Sequence, residues 1–281
     1  SRGTAIGGSA AAAWSTMADQ DLTLSIDVGT GSVRAALVDD SGRIRVLAAE
    51  EQVQIVPQFG WAEQPVEGWW SGAVRAIRRV LAEEPDAARR IAAICACGQM
   101  HGTVLIDGDG RPTRANAPLW NDKRTVSLVE EFEARHGAES TLAKTANPAT
   151  PAWPGFKLAW LKRHDAEAYR RATTVLMPKD FINFHLTGER AMDPGDASLS
   201  FLMDPEKRSW SPEMARLLGI DIGKLPPIRD PFEVLGAVTE AAAAETGLRA
   251  GTPVLVGGAD YPVSLLGSGV CEPGLASDVT G

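Results

Sequence analysis

Residues 22–39 read LTLSIDVGTGSVRAALVD, two β-prone runs joined by a glycine turn with an aspartate at its lip. A turn this short brings the second run back antiparallel beside the first. That second run ends in Asp39, Asp40, Ser41 and Gly42, another turn signal, and a third run extends from Ile44 to about Ile55. The spacing predicts a three-stranded antiparallel meander. Downstream, Val66, Trp69, Trp70, Ala73, Val74, Ile77, Val80 and Leu81 recur at helical spacing, with Arg75, Arg78 and Arg79 on the opposite face. Trp69 and Trp70 are core residues by that spacing.

Residues 91–97 are nearly all apolar and too few for a full helix, which fits a strand covered on both faces. Residues 103–106 and 115–120 flank an Asp-Gly-Asp-Gly turn and predict a β-hairpin. Three helices are expected at 122–135, 155–163 and 179–186, separated by proline-rich loops and without strong strands, as in a helical insert or lid. The α/β pattern then returns: an alanine-rich helix at 239–245, a buried strand at 253–257 and a short helix from Tyr261.

Composition narrows the function classes. At 281 residues, with 44% apolar and 23% charged, the chain suits a folded protein of about two domains. A formal charge of −8 argues against a general nucleic-acid binder, which needs a basic face toward phosphates. Cys95, Cys97 and Cys271 are too few and too unevenly spaced for a disulfide framework or a four-ligand zinc site, and read as small core residues in a reducing compartment. No apolar run approaches the ~20 residues that span a bilayer, so no membrane partner is expected. Residues 1–16 read as an expression leader, with Met17 as the native start.

Several short groupings can carry chemistry. In Asp27-Val28-Gly29-Thr30-Gly31-Ser32, an acid at a strand end is followed by glycines that let N–H groups and hydroxyls face inward, an arrangement able to cradle phosphate and its magnesium. No Gly-Lys-Ser/Thr follows, so it is not a Walker loop, and a plain hairpin turn remains open. Gln99, Met100 and His101 end the apolar strand, where open α/β sheets bind ligands, although a lone histidine can equally be structural. Trp120, Asn121 and Asp122 pair an aromatic face with an amide and a carboxylate, suited to a sugar; the alternative is a strand end with Asp122 as a helix N-cap. Asp260 follows Val256-Gly257-Gly258-Ala259 and precedes a helix, so it too has an N-cap alternative.

Together the segments SIDVGTGSVRAALVD, Trp61-Ala62-Glu63-Gln64, GQMHG, PLWND, LMPKDFINFHLTGE and VGGAD resemble the FGGY family of carbohydrate kinases, most closely its xylulokinase branch. They run in family order from about residue 22 to 281. The resemblance implies an α/β fold of the actin-like, ribonuclease-H-like type, in two domains, with sugar and nucleotide meeting in the cleft between them. Residues 17–275 would form the N-terminal sugar-binding domain, with the helical insert at about 122–235. Residues 276–281 would open the nucleotide-binding domain.

Carried over by position, Asp260 matches the catalytic base, and Asp27 the acid that organises Mg²⁺ through water. Gly29, Thr30, Gly31 and Ser32 match the first phosphate-binding turn. Gln99, Met100, His101 and Trp120 match the sugar pocket, with Asn121 and Asp122 in the adjoining segment. The implied reaction is ATP-dependent phosphorylation of a sugar hydroxyl, D-xylulose first, in the cytoplasm, with ATP and Mg²⁺ as cofactors; a homodimer stays open. Two features depart from the xylulokinase pattern. Tyr261 stands where those enzymes carry Asn beside the sugar, which keeps ribulose, erythritol and xylitol as alternative substrates. The sequence also stops at the opening of the second phosphate-binding hairpin, so this segment alone is expected to be inactive. A sugar-binding module without chemistry is the remaining alternative.

Overall fold

The computed structural model describes residues 20–278. The expected leader, and residues 279–281 of the expected second phosphate-binding hairpin, lie outside the described residues.

The chain opens on the expected meander, β1 (Leu22–Val28), β2 (Ser32–Asp39) and β3 (Ile44–Glu51), paired antiparallel in that order. A short strand β4 (Glu63–Pro65) leads into α1 (Val66–Glu83), and one turn of helix, α2 (Ala87–Arg90), delivers the chain to β5 (Ile91–Gly98). Strand β5 lies parallel to β1, with Asp27 opposite Cys97 and Val28 opposite Gly98. Helix α1 buries Val66, Trp69, Trp70, Ala73, Ala76, Ile77 and Val80, while Arg75 and Arg79 reach Glu50 on β3 at 2.8 and 3.0 Å. Burying a side chain such as Ile77 contributes about 1.5–3 kcal/mol, so this one face is the main tie between helix and sheet.

Two expectations fail next. Strands β6 (Val104–Ile106) and β7 (Asn116–Pro118) do not pair with each other; β7 pairs with β4, and β6 pairs with β8 (Thr174–Leu176), a strand the sequence did not announce. The tight turn itself forms, since Asp107 N–H donates to Arg111 O at 2.9 Å, but the strands beyond it diverge to distant partners. Nor is β5 covered on both faces. Ile91, Ile94, Ala96 and Gly98 are buried, whereas Cys95 and Cys97 on the other face are half-buried, and Cys95 there lines a hollow with Gly195, Gly257 and Ala259.

The helical region contains α3 (Val126–His136), α4 (Ala138–Thr145), α5 (Pro154–His164), α6 (Ala166–Arg171), α7 (Pro178–Thr187), α8 (Pro194–Ser198) and, after the small hairpin β9 (Met203–Asp204) and β10 (Ser209–Trp210), α9 (Pro212–Leu218). Its aromatic core stacks Phe132, Phe156 and Phe201 at centroid distances of 5.3 to 5.9 Å. Helix α7 stands apart: Phe181, Ile182 and Leu186 join the core of the main sheet, so the stretch 122–235 is not one uninterrupted packing unit.

The last segment returns to the sheet through β11 (Val234–Ala237), α10 (Glu240–Thr246), β12 (Pro253–Leu255), β13 (Gly258–Ala259) and α11 (Asp260–Gly267). The strand order is β11-β12-β5-β1-β2-β3, with β13 also paired to β5. Parallel pairing sets Gly258 opposite Cys97 and Ala259 opposite Gly98. The carboxyl ends of β1, β5 and β13 therefore lie side by side, and Asp27, Gln99 and Asp260 are delivered to one edge. No described helix is long and apolar enough to cross a membrane.

Candidate active site

The β1–β2 turn is held from both sides. Gly29 N–H donates to Ser32 O at 3.0 Å, Gln52 N–H donates to Gly31 O at 3.0 Å, and the Gln64 amide donates to Thr30 O at 2.6 Å. A Cβ on Gly29 would stand 3.1 Å from Ser32 O, whereas at Gly31 nothing lies within 4 Å, so the turn is tight on its inner side and open on its outer one.

Thr30 is the hub of a polar chain. Its hydroxyl donates to Gln99 Oε1 at 3.2 Å and accepts from Trp120 Nε1 at 3.1 Å; Gln99 Nε2 and Trp69 Nε1 both donate to Gln64 Oε1, at 2.9 and 3.0 Å. Three separated segments are thereby locked to the turn. Gln64, which closes the segment Trp61-Ala62-Glu63-Gln64 and to which no chemical role attaches from sequence, organises this wall.

At the end of β5 the chain turns sharply. His101 adopts φ +69°, the left-handed region that disfavours a side chain, and Gly102 is packed so closely that a Cβ would meet Pro178 Cγ at 2.5 Å. The strained histidine is held by Lys157 on α5, a fully buried lysine whose Nζ donates to His101 O at 2.8 Å. Burial pushes that ammonium down to about 7, against the pull of Asp122. A lysine alone in the apolar text PGFKLAW was the signal for this contact. The His101 ring is 8% exposed and packs edge-to-face on Trp153 at 4.9 Å. Burial, reinforced by Lys157, lowers it to about 3, so it is neutral, and its Nδ1 has no protein partner. A buried polar atom without a partner is costly unless a ligand or water satisfies it.

Asp260 is the first residue of α11 and is half-buried; burial raises its carboxyl to about 6, and the negative charge of Asp27 adds to the shift. Asp27 is itself raised by burial, opposed by Arg34 at 3.3 Å and by the Cys97 thiol, which donates at 3.8 Å. Two carboxylates thus face one edge, on the two strands that flank β5. Cys95, Cys97 and Cys271 are free; burial raises the Cys95 thiol and pushes Cys97 up to about 12, so neither of these two is a reactive thiolate.

Thr30, Gln99, Met100, His101, Trp120 and Asp260 line a single cleft of about 230 Å³. All six were expected from sequence, and the volume suits one small molecule rather than an extended chain. Three other expected sugar contacts are not brought into it. Asp122 is fully buried, accepting from Ala62 N at 2.7 Å and from the Arg124 backbone and guanidinium at 2.8–2.9 Å, so its carboxylate is used up inside the protein; nor does it cap α3, which Thr125 precedes. Asn121 donates to Gln54 Oε1 at 3.1 Å, outside the cleft lining. Tyr261 is 44% exposed and likewise absent from the lining.

Among the described residues no group of three or more His, Cys, Asp or Glu is disposed to hold a metal ion. The donor set fits only a cation that keeps several waters and shares one or two carboxylates with a phosphate ligand. Magnesium binds in that manner, and Asp27 and Asp260 are the carboxylates in reach.

Comparison with known proteins agrees with this geometry. The family model of the FGGY family of carbohydrate kinases, N-terminal domain, matches residues 22–267. Autoinducer-2 kinase of Salmonella paratyphi B is 35% identical over 262 residues, which cover 89% of this chain and 48% of that protein. Xylulose kinase of Bacillus subtilis is 30% identical over 251 residues, covering 89% and 50%. The crystal structure of xylulose kinase from Rhodospirillum rubrum superposes with a TM-score of 0.86 at 32% identity, over 90% of this chain and 52% of that one. The expected actin-like, ribonuclease-H-like fold is therefore the observed one. The chain spans about half the length of the curated relatives it matches.

Proposed function

The chain belongs to the FGGY family of carbohydrate kinases, and on that premise we propose that it supplies the sugar-binding side of an ATP-dependent sugar kinase acting on D-xylulose. The observation that carries the reading is the pair of carboxylates, Asp27 and Asp260, at the ends of the two strands that flank β5, above a cleft walled by Thr30, Gln99, Met100, His101 and Trp120. A module that only bound sugar would have no use for two like charges held together at a cost to both.

In this reading the indole of Trp120 covers an apolar edge of the sugar, and the orphan Nδ1 of neutral His101 bonds a hydroxyl. Asp260 orients the hydroxyl to be phosphorylated and takes its proton as that oxygen bonds to the γ-phosphorus. The bond from the γ-phosphorus to the bridging oxygen breaks, and ADP leaves with the electron pair. Phosphoryl transfer runs through a loose transition state, so positioning does most of the work and the base is needed late. Thr30, its neighbouring backbone and Asp27 face the phosphates. Magnesium, when bound with the nucleotide, would neutralise phosphate charge, with Asp27 holding its water shell. A cytoplasmic setting follows from the use of ATP.

A second substrate is favoured by a specific observation: relatives named autoinducer-2 kinase are 35% identical, against 30% for the xylulose kinase of Bacillus subtilis. A coupled ADP-release assay on the longer protein that contains this chain tests both, with D-xylulose, autoinducer-2, D-ribulose, erythritol and xylitol in parallel. Turnover of at least one, reduced about 10²-fold or more by Asp260→Ala, is expected. Near-normal turnover by Asp260→Ala overturns the role of that residue, and no turnover of any sugar or polyol overturns the kinase reading.

A further inference from the structure

Behind the strand ends that carry the cleft lies a polar cluster that none of this chemistry uses. Lys179, in the first turn of α7, is fully buried, and its ammonium faces Asp180 at 2.5 Å, Asp193 at 3.2 Å and Asp196 at 3.9 Å. The three carboxylates are at most 4% exposed. Half-buried Cys95 is the other titratable group that feels the ammonium. One ammonium against three ionised carboxylates would leave two uncompensated negative charges in the interior, which a fold tolerates poorly. Burial, and then Asp193, raise Asp196 well above the usual carboxylate range, which favours its protonated form and would lower the excess from two charges to one; neither Asp196 oxygen has a hydrogen-bond partner in the protein. Burial opposes the charge on Lys179, but the three carboxylates outweigh it and keep the group cationic.

The position of the cluster gives it a role. A Cβ on Gly98 would touch Lys179 Cβ at 3.4 Å and Val28 Cβ at 3.0 Å, so the lysine stem lies directly under the ends of β5 and β1. Lys179 Nζ donates to Val256 O at 3.3 Å, and Asn183 on the same helix donates to that oxygen at 2.8 Å. Val256 begins the four residues that lead to Asp260. Gly257 follows at φ +71°, pressed so close to β5 that a Cβ would stand 1.9 Å from Ala96 O. From the other side Asp193 caps α8, accepting from Gly195 N at 2.8 Å and Asp196 N at 3.3 Å, and Gly195 faces Ala259, whose Cβ would lie 3.7 Å from a Cβ there.

We propose that Lys179 is a positioning residue for Asp260, clamping the segment Val256–Ala259 between α7 and α8 so that the carboxylate is presented to the cleft at a fixed depth. The clamp rests on the reading of Asp260 as the base. Asp196 takes no part in holding the carbonyl.

The test separates the ammonium from the charge balance. Lys179→Met alone would strand two carboxylates, so it is combined with Asp180→Asn and Asp193→Asn, whose amide oxygens can still accept from Met177 N and Gly195 N. In the triple variant, amide exchange at Gly257, Gly258 and Ala259 is expected to rise at least tenfold while Leu24 and Ile26 are unchanged. In the longer protein kcat should fall at least tenfold with the sugar KM within twofold. A folded triple variant with wild-type exchange at these amides and wild-type kcat overturns the proposal. Should that variant fail to fold, Asn183→Ala decides, because it removes one donor to Val256 O and leaves the charges intact; faster exchange at Gly257 and Gly258 supports the clamp and unchanged exchange overturns it. Asp196→Asn, an isostere of the protonated acid, should keep the melting temperature and kcat, and a collapse of the fold would refute the protonated cluster. A wild-type longer protein without kinase activity would sink the reading of Asp260 as base, while the exchange measurements would still judge the clamp.

Discussion

Asp260 shows how one environment sets both chemistry and stability. Its carboxyl titrates near 6 in the folded protein, above the ordinary 3.8, chiefly through burial. Between those values the folded state holds a proton that the unfolded state has released, so stability falls as pH rises from about 4 to 6 and the cost is complete above 6. Asp260→Asn cannot titrate, so at pH 7–8 it should melt later than wild type, by about 1 kcal/mol once partial exposure is discounted, and should lose that advantage near pH 4. A thermal melt series across pH 4–8 checks it; an equal or lower melting temperature at pH 8 would contradict the assignment. Catalysis should run the opposite way. In the longer protein kcat/KM should rise through pH 6 and level off, as the proposed base must be ionised, with no second limb from His101, which is held neutral down to about 3. Asp260 and His101 were legible in the sequence because each sits in a short local motif at a strand end. The partners of Lys157 and Lys179 were not, since a lysine set in apolar text, as in PGFKLAW, marks a buried ammonium but not the carbonyl that distant chain contributes to it.

The elements divide along the same line. Strand β1, its turn, β2 and helix α1 follow from local periodicity, and the structure reproduces them within a residue or two. The pairings β4–β7 and β6–β8 join segments tens of residues apart, and no local pattern separates them from the hairpin that the Asp-Gly-Asp-Gly turn suggested. Two substitutions test what holds these elements at the site. Gly257→Ala puts a methyl group into Ala96 O at a left-handed φ of +71°, so β12 and β13 must shift. A loss of about 3 kcal/mol or more is expected, roughly 6–12 °C in melting temperature, whereas Gly31→Ala, with nothing within 4 Å, should stay within about 0.5 kcal/mol. The second concerns Arg124, buried between Trp61 and Trp160 at 3.9 and 5.0 Å and bonded to Asp122 and Glu63, where it ties α5 to β4. Arg124→Met should cost about 3–5 kcal/mol by leaving Asp122 buried and unpaired, and Asp122→Asn in the same chain should recover much of it. Chemical denaturation of the single and double variants reads this directly; a single variant as stable as wild type would mean that the ion pair contributes nothing.

At the scale of the whole molecule, the motif order and the α/β alternation carried the fold, and six cleft residues followed from it. The cleft they form is one-sided: Trp120 is 47% exposed and Asp260 is half-buried, so the reacting edge stays open to water. Phosphoryl transfer needs that water excluded and the donor aligned, which in a bilobal kinase is the work of closure. The relatives are about twice this length, and the proposal assigns closure to the remaining half. Sugar binding and turnover should therefore separate. This chain alone should bind a cognate sugar through His101, Trp120 and Thr30, and at 100 times its Kd the sugar should add about 2.7 kcal/mol of stability. The same chain with ATP and magnesium should turn over at under about 1% of the longer protein's rate, since proximity and orientation of the donor are worth several kcal/mol of barrier. Differential scanning fluorimetry with each candidate sugar, beside a coupled assay on the same sample, measures both. Robust turnover by this chain would show that these residues already hold nucleotide and sugar in line. The absence of any sugar-dependent shift would overturn sugar binding by this chain alone.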